Sequence, residues 1–151
     1  WLQEEPTPIE PGEPLETFLA TVMLRAHLDR LPAGERAGFV RRVAERLAGL
    51  VAGAWAVFED VVKASPAELR KGPRGGGRDR DKMVAHVVEA ENAYFRKVGV
   101  KEGRDAFLEG LRAARQPEPE LAIKSWPWRY TARRVAWHVL DHAWEMQDRS
   151  P

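Results

Sequence analysis

Residues 35–63, ERAGFVRRVAERLAGLVAGAWAVFEDVVK, are the longest stretch of this chain with a helical pattern. Apolar side chains recur there three and four positions apart, a spacing that places them on one face of an α-helix. That face consists of Val40, Val43, Leu47, Val51, Ala54, Trp55, Phe58 and Val62. The stretch therefore predicts one long amphipathic helix.

The same period extends over most of the remaining sequence. It predicts a helix over residues 15–31, another from Asp79 or Asp81 to about residue 98, a shorter one over 101–115, and a last one over 131–149. The aspartates and Thr131 are suitable N-caps for the helices that they precede. No stretch alternates apolar and polar side chains as a half-buried strand does. The predicted fold class is all-α, with four principal helices from residue 35 onward and one N-terminal helix.

Proline and charge divide the chain into two predicted regions. Residues 1–34 form an acidic, proline-rich leader with the N-terminal helix, and residues 35–151 form the helical bundle. The extra apolar helix adds surface that a second copy would bury, so we expect a homodimer. The chain carries 24 Lys and Arg against 23 Asp and Glu and has no nucleic-acid-binding motif, so no nucleic-acid partner is expected.

The chain contains no cysteine, which excludes disulfides, thiolate metal sites and thiol nucleophiles. No apolar run reaches the roughly 18 residues that a membrane-spanning helix needs, so no membrane partner is expected. The first 14 residues are acidic and contain four prolines, unlike a secretory leader. Together these features favour a cytoplasmic location.

Histidine is the residue type that says most about function. His138 and His142 are four positions apart in the last predicted helix, so their imidazoles can converge on one ion. His86 lies on the same helical face as Met83 and is expected to point inward as a third ligand. Three neutral imidazoles suit zinc, nickel, copper or iron. The alternative is that these are ordinary core histidines; His27 is expected on the surface.

The segment KMVAHVVEAE at residues 82–91, followed by WHVLDH at residues 137–142, resembles the DinB-like metal-binding four-helix-bundle superfamily. The resemblance covers residues 35–149. Many members continue with Arg-Gly-Gln after the last histidine, whereas this chain has Ala-Trp-Glu at residues 143–145. This departure leaves the subfamily and the substrate open.

The resemblance implies an antiparallel four-helix bundle, often dimeric, in which His86, His138 and His142 hold a divalent ion, usually nickel or zinc. Characterised relatives are thiol-dependent transferases or isomerases that use mycothiol, bacillithiol or glutathione. It therefore implies a metal-dependent enzyme with a small-molecule substrate and a low-molecular-weight thiol, which the cysteine-free chain cannot itself supply. Metal-activated water would instead give hydrolysis. The alternative function is a non-catalytic metal-binding, ligand-binding or interaction module.

Three acidic side chains are candidates for roles beside these histidines. Glu89, one turn after His86, is expected to hydrogen bond a ligand imidazole, to bind the ion or to act as a catalytic base. Asp141 and Glu145 are candidate partners of His142. The alternative for each is a solvated acid on the helix surface.

Arg74 and Arg78 belong to a glycine-rich loop at residues 71–78. This loop leads into the predicted helix that contains His86. Exposed backbone N–H groups and basic side chains before a helix can hold an anion, so these arginines are candidate contacts for a phosphate, sulfate or carboxylate. The alternative is a basic surface turn.

Tryptophan is abundant, with six residues in the chain. Trp55 and Trp137 fall within apolar helical patterns and are predicted in the core. Trp126 and Trp128 flank Pro127 just before the last helix, where they either line the mouth of a pocket or close the end of the bundle.

Overall fold

The computed structural model describes residues 30–72, 76–101, 103–113 and 125–151. These residues form four α-helices and no β-strand, which confirms the all-α class over this part of the chain. The helices are α1 (Ala33–Ala64), α2 (Arg80–Arg96), α3 (Arg104–Arg112) and α4 (Trp128–Arg149). Apart from its last two residues, the helix predicted over 15–31 lies outside the described residues.

The chain divides into two compact units, residues 1–39 and 40–151, with the boundary inside α1. In the first unit the described residues contain the start of α1, where the Arg36 N–H donates to the carbonyl of Pro32 over 2.9 Å. The apolar core and every site discussed below belong to the second unit. None of the described helices is both long enough and apolar enough to cross a membrane.

Helix α4 begins earlier than the sequence predicts. Pro127 occupies the N-cap position with an extended backbone, and its carbonyl accepts hydrogen bonds from both the backbone N–H (3.0 Å) and the hydroxyl (3.1 Å) of Thr131. The prediction that Thr131 caps this helix is therefore wrong, because Thr131 already lies within it. The fixed φ of proline suits the entry to a helix and starts α4 at Trp128.

Helices α2 and α3 also differ from expectation at their starts. Asp79 is the N-cap residue of α2, but its carboxylate makes no cap bond and instead accepts hydrogen bonds from the Leu69 N–H and from Lys71. The bond from Lys71 is the main cause that lowers the pKa of Asp79. Helix α3 begins at Arg104 rather than at 101, because Gly103 has a φ of +95°, outside the helical range.

Side chains from all four helices share the apolar core of the second unit. Its centre is aromatic: Phe95 stacks on Phe107 with ring centroids 4.5 Å apart, and Phe107 stacks on Trp128 at 5.6 Å. Trp128 thus packs in the core rather than at a pocket mouth. Trp55 is buried as predicted, but Trp137 is 51% exposed. The prediction for Trp137 is wrong because position 137 falls on the outer side of α4, about 200° around the helix from the buried Val135 and Val139.

Candidate metal centre

Three histidines from two helices meet in the second unit. His86 comes from α2, and His138 and His142 come from successive turns of α4. The ring centroid of His86 lies 5.4 Å from that of His138 and 5.1 Å from that of His142, and the rings of His138 and His142 are 4.6 Å apart. One nitrogen from each ring lies within 4.8 Å of the other two, so this histidine cluster could hold a metal ion.

The packing of α2 against α4 brings the three rings together. Met83 and Val87 on α2 are fully buried, and His86 lies between them in sequence at the margin of that buried stripe. On α4 the buried stripe itself contains His138 and His142, which are 8% and 9% exposed. The cluster is therefore enclosed on the α4 side and open to solvent on the His86 side.

The surroundings favour neutral imidazoles. Burial, followed by the neighbouring His142 and His86, lowers the pKa of His138 to about 4. The pKa of His86 is also lowered, first by burial and then by the positive charge of Arg78. Since a metal ion binds the neutral form of histidine, the lowered pKa values of His86 and His138 favour the protonation state that ligation requires.

Glu145 orients one of the rings. Its carboxylate accepts a hydrogen bond from Nδ1 of His142 over 3.0 Å, which leaves Nε2 of that ring available to an ion. The guanidinium of Arg149 donates to the other carboxylate oxygen over 2.8 Å. Burial raises the pKa of Glu145, but the hydrogen bonds from Arg149 and His142 outweigh it, and the net pKa is lowered. Of the acids considered as partners of His142, Glu145 is thus the one in contact.

His138 shows most directly that the cluster suits a metal ion. Its Nδ1 atom is buried and has no hydrogen-bond partner. Nε1 of Trp128 and Nη2 of Arg149 are also buried and unpaired, but of these three atoms only Nδ1 of His138 belongs to the histidine cluster. An unpaired buried polar atom costs about 1–3 kcal/mol, and native proteins rarely keep one without a reason. A set of three imidazole donors, one oriented by a carboxylate and one with this nitrogen unpaired, could hold a metal ion.

The other acids singled out by the sequence do not contact the cluster. Glu89 is exposed on α2, and its negative charge raises the pKa of His86 through space without a hydrogen bond. Asp141 is exposed on α4 and acts on His138 in the same way. These positions place both carboxylates at the solvent side of the rings.

Of the two arginines predicted to contact an anion, the structure describes one. Arg78 is exposed just before α2, close enough for its charge to lower the pKa of His86. Arg74 and the expected surface residue His27 lie outside the described residues. Arg78 therefore provides a positive charge beside the open side of the histidine cluster.

The loop that carries Arg78 is fastened to the end of α4. Nε of Arg149 donates to the carbonyl of Arg70 over 2.8 Å, and the N–H of Arg70 donates back to the carbonyl of Arg149 over 2.8 Å. Gly77 has a φ of +115°, and a Cβ there would lie only 2.6 Å from Nη2 of Arg149. Since Arg149 also binds Glu145, the loop, the arginine, the carboxylate and His142 form one continuous chain of contacts.

Tyr94 is a neighbour of the site that the sequence reasoning missed. Its ring meets that of His138 edge-on at 5.6 Å and lies 5.5 Å from Trp126, while Arg134 lies over the tyrosine ring. The signal was present, because Tyr94 follows His86 by eight positions and so lies on nearly the same side of the helix. Trp126 thus flanks the site through Tyr94.

A second polar cluster was also missed. Glu91 is 3% exposed and accepts hydrogen bonds from Nε1 of Trp55 and from Arg104, whose Nε lies 3.0 Å from Oε2. Burial raises the pKa of Glu91, against the lowering effects of Arg104 and Trp55. We call Glu91, Arg104 and Trp55 the carboxylate cluster. Its sequence signal is a glutamate in the buried stripe Met83, Val87, Glu91, Phe95.

Comparison of the chain with known protein families, with curated proteins and with solved structures gave no match. The interpretation of the site therefore rests on its own geometry.

Proposed function

We propose that this chain is a divalent-metal-binding helical bundle of the DinB-like type, with His86, His138 and His142 as the ligands of zinc or nickel. The buried, unpaired Nδ1 of His138 is the observation that carries the proposal. Three imidazoles without a carboxylate ligand disfavour magnesium and calcium, which prefer oxygen donors.

The contacts between α2 and α4 support the antiparallel arrangement that this type of bundle has. His86, near the start of α2, packs on His142, whereas Tyr94, two turns later, packs on His138 and Trp126. Contacts therefore move toward the start of α4 as α2 proceeds, as they do between antiparallel helices.

We further propose that the bundle is an enzyme that transfers a chemical group to its substrate, or isomerises the substrate, with the help of a small thiol. A bound divalent ion supplies a Lewis acid that favours the deprotonated form of a thiol or of water. Glu145 keeps the proton of His142 on Nδ1 and so fixes the orientation of that ring. Arg78 offers a positive charge to an anionic group of the thiol or the substrate, and Tyr94 forms an aromatic wall beside His138. The cytoplasmic location stays a prediction from the sequence.

Metal content tests the ligand set. The purified chain without a histidine tag, incubated with zinc or nickel and then desalted, should retain about one ion per chain by elemental analysis. His86→Ala, His138→Ala and His142→Ala should each lose most of it with the far-UV circular dichroism unchanged, and His27→Ala should retain it. Retention below about half an ion by the wild type, or equal loss by His27→Ala, would overturn the proposal.

Turnover tests the enzymatic part separately. Zinc- and nickel-loaded protein should accelerate consumption of at least one of mycothiol, bacillithiol or glutathione in the presence of electrophilic small molecules, and His138→Ala should not. Metal retention without turnover of any thiol would instead favour the non-catalytic alternative.

A further inference from the structure

Helix α4 exposes a line of aromatic rings on the side away from the core. Tyr130, Trp137 and Trp144 are 44%, 51% and 55% exposed. They follow one another at intervals of seven residues, which keeps them on nearly one face of a helix with a drift of about 20° per interval. Exposed apolar surface concentrated in this way marks an interaction site more often than scattered single residues do.

The charges along this face change sign at its middle residue. Exposed bases precede Trp137 (Arg129 and Arg133), and exposed acids follow it (Asp141 and Asp148). In the part of the chain that the structure describes, neither Arg133 nor Asp141 forms an ion pair. A surface whose halves are opposite in charge about its centre is complementary to itself when turned by a two-fold rotation.

We propose that this face of α4, the aromatic seam (Tyr130, Trp137 and Trp144), binds the same face of a second copy of the chain, with the two α4 helices antiparallel and the two-fold axis at Trp137. Residues equally distant from Trp137 then face each other. Arg133 meets Asp141 of the second copy, four positions on either side of the axis, and this pair forms twice. Tyr130 meets Trp144 of the second copy, and the two Trp137 rings meet on the axis.

The seam fits a weak dimer. The seam occupies one side of a single 22-residue helix. We expect the surface that it buries to be smaller than the roughly 800 Å² per partner of a standard interface. The dissociation constant should therefore lie in the micromolar range. A second exposed apolar position, Leu50 on α1, is 49% exposed. The residues four positions before and after it are Arg46 and Ala54, so it lacks the base and acid that flank Trp137 at this distance and serves as the control. The proposal does not depend on the metal.

Sedimentation velocity over a concentration series tests the seam. The wild type should change from the 17.1 kDa monomer to a species of twice that mass as concentration rises. Trp137→Glu should raise the dissociation constant at least tenfold, because two carboxylates would meet on the axis, whereas Leu50→Gln should leave it unchanged. A wild type that stays monomeric throughout, or a dimer lost in Leu50→Gln and kept in Trp137→Glu, would overturn the proposal.

Charge exchange tests the antiparallel register. Arg133→Asp and Asp141→Arg each place like charges opposite each other, so each variant alone should associate more weakly than the wild type. Mixed in equal amounts, the two variants should form a heterodimer in which both pairs are attractive again, with an affinity near that of the wild type. If the mixture associates no better than either variant alone, the two-fold register at Trp137 is wrong.

Discussion

Helix α2 contributes to two buried polar clusters that differ in how completely their hydrogen bonds are made. In the carboxylate cluster, Glu91 is paired on both oxygens, by Trp55 and Arg104, and Arg104 also reaches Glu59 over 2.9 Å. In the histidine cluster, His138 keeps a buried nitrogen with no partner. The two clusters lie five residues apart along one helix, so they share the same scaffold.

We infer from this difference that the carboxylate cluster is structural and that the histidine cluster binds a ligand. When a buried charge is fully paired, loss of one partner strongly destabilises the fold, and the paired atoms have little capacity left for a ligand. A buried polar group without a partner lowers the stability of the ligand-free protein. Binding of a ligand to that group restores the lost stability. The histidine cluster should therefore respond to metal and pH, and the carboxylate cluster should respond to neither metal nor ligand.

Loss of the buried carboxylate should have the largest effect on stability. Glu91→Ala leaves the Arg104 guanidinium and the Trp55 N–H without their partner, and we expect the free energy of unfolding to fall by about 3 kcal/mol. The metal content of the folded protein should not change. Urea denaturation measures the first quantity and elemental analysis the second.

Glu45→Ala is the control for this prediction, because Glu45 forms an exposed ion pair with Arg112 at 3.7 Å. Such pairs contribute about 0–1 kcal/mol. Equal losses in the two variants would show that the carboxylate cluster is not the structural element that its contacts indicate.

The metal-free protein should lose stability as the pH falls from 7 toward 4. The pKa of His138 is lowered from 6.5 in the absence of the fold to about 4 within it, so the unfolded chain takes up the proton first and unfolding becomes more favourable. The contribution of His138 to the free energy of unfolding is present above pH 6.5 and is lost as the pH approaches 4. It amounts to at most about 3 kcal/mol.

His138→Leu should flatten this pH dependence, and at pH 7 the variant should be no less stable than the wild type, because the unpaired nitrogen is gone. Urea midpoints between pH 7 and pH 5 measure both effects. An unchanged slope in His138→Leu would contradict the assignment of the acid-sensitive group to His138.

The smallest expected effect concerns the carboxylate that orients His142. Glu145→Ala should weaken zinc binding about tenfold, since removal of such a partner usually costs 10–100-fold in metal affinity. Glu89→Ala is the matched control: its carboxylate is exposed and hydrogen bonds none of the three rings, so it should change zinc affinity little. Competition with a chromophoric chelator measures both values. A larger loss of zinc affinity in Glu89→Ala than in Glu145→Ala would show that Glu89, and not Glu145, supports the metal ligands.

Sequence periodicity was sufficient to predict the position of helices that have one clear apolar face. The long helix predicted over 35–63 is α1 (Ala33–Ala64), and the spacing of His138 and His142 correctly predicts neighbouring rings. It could not assign the outer face of α4. Trp137 is a large apolar residue of the kind found in cores, but its position around the helix axis turns it away from the core. Nor could periodicity show that Asp79 binds Lys71 rather than capping α2, because the choice of hydrogen-bond partner depends on the path of the loop.

The candidate site shows the same division. Contact between His86 and the pair on α4 depends on how α2 packs against α4, which no local pattern specifies. Glu145 was one of two acids near His142, and the three-residue spacing already placed it on the face of His142, unlike the adjacent Asp141. Only the structure shows that the Glu145 carboxylate hydrogen bonds the ring. Tyr94 was missed because an aromatic residue on a helix face is ordinarily part of a core.

Helix α4 carries three different groups of residues along a single unbroken run: a core stripe with Val135 and Val139, the proposed ligands His138 and His142, and the aromatic seam. One residue inserted in the middle of the helix would rotate everything after it by about 100° and shift it by about 1.5 Å. The ligand pair would be split or turned into the core, and the seam would be broken at the same point. We therefore expect this segment to vary by substitution but not in length, so that insertions and deletions among homologous chains accumulate outside it.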